Sequence, residues 1–261
     1  MNAPGRSTGE LERYVAATWR NFRLIAELGG GRAVAEDGVL LLAGPDPAAA
    51  ILNTTFRLDP AVPAADVLSR ARAFYEPASH FTVCATDDQD ADLSRAAEAA
   101  GWHLAIELPA MVLRGTARVS DVARARLRRV DPALDRGIFS AVATPAFADD
   151  DDEAAAYPLV FDRAAIYEPP CGAVIAELDD QPAACAWFVV SEGVATVGFV
   201  ATLPAFRRRG LGRLVTAAVC RMAIDAGADL VTLQASPMGL PVYEPMGFET
   251  IAREVLWAPP A

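Results

Sequence analysis

The chain has no lysine: all 23 basic residues are arginine, which reads as a compositional bias rather than a functional signature. Histidine is almost as scarce. His80 and His103 fall at strand edges of the N-terminal half, without partners for a metal cluster or a Ser-His-Asp constellation, so both read as structural. The four cysteines, Cys84, Cys171, Cys185 and Cys220, are far apart and form no Cys-x-x-Cys pair. That spacing argues against a zinc site and a disulfide framework and leaves small, buried apolar groups. No apolar run approaches the roughly 18–20 residues that span a membrane. The first ten residues lack the apolar stretch of a signal peptide and read as a short flexible tail. The expectation is a cytoplasmic protein without a membrane partner. Basic charge is also in deficit, with a net charge of −11. That disfavours nucleic acid, whose phosphates need a basic surface, and favours a cationic partner such as an amine.

What is present is ample apolar content, 53% of 261 residues, enough for one large or two small domains. Leu11, Val15, Trp19, Phe22 and Ile25 share a helical face, ended by Gly29-Gly30-Gly31. Asp37-Gly38 between Arg32–Ala35 and Val39–Ala43 signals a hairpin. A strand over residues 50–58, a helix over 64–75, a strand over 81–85, a helix over 91–100 and a strand over 103–113 follow. After a linker at 114–120 come a strand at 124–130, a helix starting at Asp131-Pro132, and the acidic run 149–153, read as a solvated loop. Residues 174–178 and 184–190 flank another hairpin signal, Asp179-Asp180-Gln181-Pro182, and 194–201 continue that meander antiparallel. A helix at 211–226, a strand at 230–235, a short helix near 240–244 and a strand at 249–257 complete the chain.

The most informative stretch is Arg207-Arg208-Arg209-Gly210-Leu211-Gly212, between the strand that ends at Val200-Ala201-Thr202 and the helix carrying Leu214, Val215, Ala218, Val219 and Met222. A glycine-bearing turn that opens a helix exposes unpaired N–H groups at the positive end of the helix dipole, a cradle for pyrophosphate. Arginine adds charge and bidentate donors.

Arg-x-x-Gly-x-Gly after a strand, followed by Tyr243-Glu-Pro-Met-Gly247-Phe248, resembles the GNAT acetyltransferase superfamily. The resemblance implies a mixed α/β (α+β) fold with a mostly antiparallel sheet flanked by helices, and acetyl-CoA as cosubstrate, with no metal. Val200, Ala201 and Thr202 would pair with pantetheine, and one N–H there would polarise the thioester. Arg207, Arg208, Arg209, Gly210, Leu211, Gly212 and Arg213 would hold the pyrophosphate. Tyr243 would be the general acid. Ser236 stands where many relatives carry a cofactor-bonding asparagine. The central strand carries no carboxylate, so Glu168, Glu177 and Glu192 are substitutes for a general base, with a water chain as the alternative. Residues 147–171, with Tyr157, Phe161, Tyr167 and Glu168, would line the side taken by an amine on a small molecule or peptide. Monomer and homodimer both stay open. Lacking lysine, such an enzyme could not acetylate its own lysine side chains.

The repeating order, with Gly101-Trp102 matching Gly247-Phe248, divides the chain into two tandem units, 1–114 and 115–261. In the first, Asp59-Pro-Ala-Val-Pro-Ala-Ala-Asp66 replaces the glycine turn, and Ala97 stands in the tyrosine position. Prolines remove donors and the two carboxylates repel phosphate, so only the second unit is expected to bind the cofactor.

Overall fold

A computed structural model describes residues 8–48, 52–75, 80–119, 121–148 and 150–260. The expected N-terminal tail up to residue 7, Ala50 and Ile51 of the third strand, Ser120 of the linker and Asp149 of the acidic run lie outside these residues.

Helix α1 (Thr8–Leu28) leads into the hairpin β1 (Arg32–Glu36) and β2 (Val39–Ala43). Asp37 and Gly38 turn it with φ of 42° and 75°, the left-handed pair that matches strand twist. Then follow β3 (Thr54–Arg57), α2 (Ala64–Phe74), β4 (Thr82–Thr86), α3 (Ala91–Ala99) and β5 (His103–Leu113). The second half comprises β6 (Ala125–Arg129), α4 (Arg136–Phe147), α5 (Asp151–Phe161), β7 (Cys171–Leu178), β8 (Gln181–Ser191) and β9 (Val194–Thr202). It closes with α6 (Leu211–Asp225), β10 (Leu230–Gln234), α7 (Leu240–Tyr243) and β11 (Glu249–Ala258).

Two expectations are corrected. The helix after Pro132 starts at Arg136, because Asp131 first closes a turn, accepting from the Ala133 N–H at 2.8 Å. The acidic run is no loop from Asp150 onward. Asp150 caps α5 by accepting from the Glu153 N–H at 2.9 Å, and Asp151, Asp152 and Glu153 sit in the first turn, where the dipole favours anions.

Among the described residues, the strands join one sheet in the order β1-β2-β3-β4-β11-β5-β10-β9-β8-β7-β6. Only β3–β4 and β9–β10 are parallel; each encloses one helix, α2 or α6. The order is pseudo-symmetric about its centre, and there the halves cross over. The last strand of the second half, β11, pairs with β4, while the last strand of the first half, β5, pairs with β10. The two crossing strands pair with each other along most of their length.

Alternation along β9 and β10 sends successive side chains to opposite faces. Ala195, Val197, Val231 and Leu233 pack beneath Val215, Val219 and Ala223 of α6. Val194, Leu230, Ala110 and Val112 face Tyr14 and Ala17 of α1 on the other side. A third cluster, of Phe139, Tyr157, Phe161 and Trp187, joins α4 and α5 to the sheet.

Candidate active site

Strands β9 and β10 pair at only three positions, ending with Thr196 opposite Thr232. The two hydroxyls meet at 3.1 Å. Beyond this point β9 continues against β8 and β10 against β5, so a wedge opens between them. A bulge widens it: Cys185 faces Ala201 and Trp187 faces Gly198, leaving an extra residue on β9. Phe199 absorbs the bulge at φ 50°, a left-handed conformation that a phenylalanine rarely adopts. It is held by edge contacts with Phe147 and Phe161 and a tilted contact with Trp187, at centroid distances of 5.7, 4.9 and 5.6 Å. The bulge reverses the alternation, turning Val200 toward α6 and Ala201 toward the α4–α5 cluster.

At the end of β9 the chain makes a short 3-10 turn, Pro204–Phe206, and enters α6. Arg208 and Gly210 have φ of 65° and 82°. Among the described residues, no backbone N–H from Arg208 through Arg213 has an acceptor; the first intrahelical bond runs from the Leu214 N–H to the Gly210 carbonyl at 3.1 Å. Six consecutive donors therefore gather at the positive end of a 15-residue helix. A depression of about 370 Å³ lies there, lined by Asp121, Val122, Ala123, Arg209, Gly210 and Arg213. The arginines are not equivalent. Arg207 Nε donates to the Thr202 carbonyl at 3.1 Å, and the Arg209 guanidinium lies 5.8 Å from the Phe206 ring centre. Arg208 and Arg213 are exposed. Leu211 is buried, so only its backbone N–H is presented at the turn.

Across the wedge, Ser236 follows β10 and Tyr243 ends α7. Ser236 Oγ accepts from the Gly239 N–H at 3.1 Å and stabilises the turn into α7, keeping its own proton to donate. The Tyr243 ring packs near Phe248, while its hydroxyl has no hydrogen-bond partner among the described residues. Burial pushes its pKa well above the ordinary tyrosine value, so it stays protonated and able to donate. Burial likewise pushes the Cys171 and Cys220 thiols up to about 12, which removes them as thiolate nucleophiles.

Other expected residues lie elsewhere. Glu177 is bonded to Arg128 at 2.8 Å on the outer β6–β7 pair, Glu192 is paired with Arg20 in the turn at the closed end of β9, and Glu168 is exposed. Tyr157, Phe161 and Tyr167 are core residues; the Tyr167 hydroxyl donates to the Phe161 carbonyl at 2.7 Å. The carboxylate that the sequence reading missed is Glu254 on β11, 1% exposed. It accepts from Tyr14 Oη at 2.7 Å and from Gln234 Nε2. Burial pushes its pKa up to about 7. Its sequence signal is parity: Glu254 shares the inward face of its strand with Ala252 and Leu256.

The other parallel pair, β3 with β4, shares some features with β9 and β10 and differs in others. Thr54 and Thr82, paired across β3 and β4, bring their hydroxyls to 3.1 Å as Thr196 and Thr232 do. The Trp102 N–H donates to the Ala97 carbonyl, as the Phe248 N–H donates to that of Tyr243. Just past the last β3–β4 pair, Phe56 with Cys84, the Arg57 side chain is 1% exposed and bonded to both Asp90 and Asp92. Pro63 stands at the N-cap of α2, where Gly210 stands before α6.

Residues 138–248 match the model of the acetyltransferase (GNAT) family. No curated protein matches the chain in sequence. Among solved structures, it is similar to a GCN5-related N-acetyltransferase from Kribbella flavida (TM-score 0.72, 22% identity, 95% of each chain covered). A tandem GNAT protein from the clavulanic acid biosynthesis pathway superposes with a TM-score of 0.57 at 16% identity, over 95% of this chain and 94% of that one. A GCN5-related N-acetyltransferase from Sphaerobacter thermophilus gives 0.62 at 14% identity, over 93% and 91%. At these identities the structural matches establish the fold, a mixed 11-stranded sheet in a tandem arrangement. The similarity to the GNAT acetyltransferase family is thus carried in sequence by residues 138–248 and in fold by nearly the whole chain.

Proposed function

We propose that the chain is an N-acetyltransferase that moves an acetyl group from acetyl-CoA to a primary amine by direct attack in a ternary complex. The observation that carries this reading is the run of unpaired N–H groups from Arg208 to Arg213 beside an open wedge. Those donors suit a diphosphate. The unpaired edge of β9 around Val200, Ala201 and Thr202 suits the amides of pantetheine. Thr202 offers less than its neighbours, because its carbonyl already accepts from Arg207. The amine nitrogen bonds the acetyl carbon, the carbon–sulfur bond breaks, the nitrogen loses a proton and the sulfur gains one. Protonated Tyr243 is the donor for that last transfer. Ser236, with a free hydroxyl proton, is a second donor toward the cofactor.

In this reading, residues 1–114 form a buttress that does not bind the cofactor, and residues 115–261 form the unit that does. The buried, ion-paired Arg57 just past the β3–β4 ladder would obstruct a pantetheine arm there, and the Pro63 turn offers no glycine.

A second reading, an acyl-CoA-binding regulatory module without turnover, draws on one observation: β9 carries no carboxylate. One experiment separates them. Acetyl-CoA is titrated into the full chain by calorimetry, and thiol release is then followed with a panel of primary amines. Binding with amine-dependent release supports the enzyme, binding without release the module, and absence of binding sinks both. Adding propionyl- and octanoyl-CoA reports the acyl length the wedge accepts.

A further inference from the structure

We infer that Gln234 is an acceptor-positioning residue, held by Glu254 so that its amide oxygen faces the amine at the mouth of the wedge. The inference rests on the acetyl-transfer reading above and adds a residue to the acceptor side of that site.

The placement follows from strand register. Thr232 is the last residue of β10 paired with β9, and its hydroxyl marks the apex of the wedge on the α1 face. Gln234 lies two residues further along β10, on the same face and past the apex. On the β5 side it is paired with Ala110; on the β9 side it has no strand partner. Tyr243 packs with α6 on the opposite face. The two side chains therefore flank the wedge from opposite faces, Tyr243 toward the leaving sulfur and Gln234 toward the incoming nucleophile.

Its hydrogen bonds set the direction of the amide. Glu254 accepts from Gln234 Nε2 on one oxygen and from Tyr14 Oη on the other. A carboxylate only accepts, so the Gln234 nitrogen must point inward and Oε1 outward. An outward carbonyl accepts a hydrogen bond from an amine N–H and orients the nitrogen lone pair away from itself, which is the use a nucleophile has for it. Every link is long-range: Tyr14 comes from α1, Gln234 from β10 and Glu254 from the crossing strand β11. The other titratable group facing Glu254 is the Cys84 thiol of β4.

Glu254 makes the orientation dependent on pH. Burial lifts its pKa to about 7, so at lower pH it carries a proton and becomes a donor. A protonated carboxyl competes for Gln234 Oε1 and swings the amide, presenting N–H groups to the amine in place of the oxygen. Glu254→Gln keeps the shape and an amide oxygen for Gln234 Nε2 but does not titrate.

The test uses the full chain with acetyl-CoA, and 2-phenylethylamine, 1,5-diaminopentane and glycinamide as amines. For whichever amine turns over, Gln234→Leu raises KM about tenfold while kcat stays within about twofold. Wild-type KM rises as pH falls through about 7 relative to Glu254→Gln, whose profile lacks that step. An unchanged KM in Gln234→Leu, or coincident pH profiles, overturns the inference while leaving acetyl transfer standing. Side-chain amide NMR of the CoA-loaded wild type gives a readout independent of turnover. Amines that shift the Gln234 Nε2–H signals without any thiol release sink the acetyl-transfer reading and keep the contact. Neither shift nor release sinks both.

Discussion

Thr196 and Thr232 touch through their hydroxyls at 3.1 Å, and past that contact their strands separate. Asn21 of α1 donates to the same Thr196 oxygen at 2.6 Å, so the apex is pinned from above as well as across. Thr54 and Thr82 also meet through their hydroxyls, but at the start of the β3–β4 ladder, which runs on to Phe56 and Cys84 before the buried Arg57. The β9 edge past Thr196 is open, whereas a buried, ion-paired arginine follows the last β3–β4 pair.

The glycines of the helix-opening turn should differ in cost. Gly210 sits at φ 82°, and a Cβ there would lie 3.2 Å from Val122 Cγ2. Gly212 is helical, and its Cβ would meet Thr202 Oγ1 at an ordinary 3.7 Å. Gly210→Val is expected to lower stability by about 1–3 kcal/mol and abolish measurable acetyl-CoA binding, while Gly212→Ala keeps the fold and weakens binding only. Calorimetry and thermal melts on both variants check the order.

Tyr243→Phe removes a hydroxyl that has no partner among the described residues. The fold should not change, and acetyl-CoA affinity should hold. Turnover should drop by about 10²-fold or more. Unchanged turnover would discard the acid role.

Phe199 sets backbone strain against packing. Left-handed geometry costs about 1–3 kcal/mol, and a glycine would relieve most of it. Losing a buried phenylalanine costs about 3–5 kcal/mol. Packing wins, so Phe199→Gly should destabilise in urea melts, by less than a core phenylalanine at ordinary φ would.

Stability should report the proton on Glu254. Its pKa rises from 4.5 to about 7 on folding, so the folded chain binds more protons between those values. Stability contributed by this group therefore falls as pH rises through that window and levels off above it. The full change is about 3 kcal/mol, and Glu254→Gln should lack it. Urea denaturation at a series of pH values, wild type against variant, measures the difference.

The crossing strands predict how the chain can be cut. Residues 1–114 alone lack β11, which pairs with both β4 and β5, and residues 115–261 alone lack β5, the partner of β10. Each piece should aggregate when expressed singly, and the two should co-purify when expressed together. Two well-folded, non-associating monomers would contradict this.

Local pattern alone determined a good deal: the Asp37-Gly38 hairpin, the helix opened by Gly210, the strand–helix–strand order of each half, and the correspondence of Gly101-Trp102 with Gly247-Phe248. These depend on residue spacing and on φ preferences within a few positions, which a linear string records. The starts of α4 and α5 are not legible in the sequence, because aspartates that cap a turn and aspartates that fill a loop look alike until their carboxylates choose an N–H. Tertiary structure decided the rest. The alternation of β5 and of β11 fits either side of the sheet centre, and only packing against α1 and the rival strand selects the crossing. The bulge at Phe199 and the ion pairs of Arg57 depend on contacts between distant segments, and strand parity marks Glu254 as inward without naming Tyr14 and Gln234 as its partners.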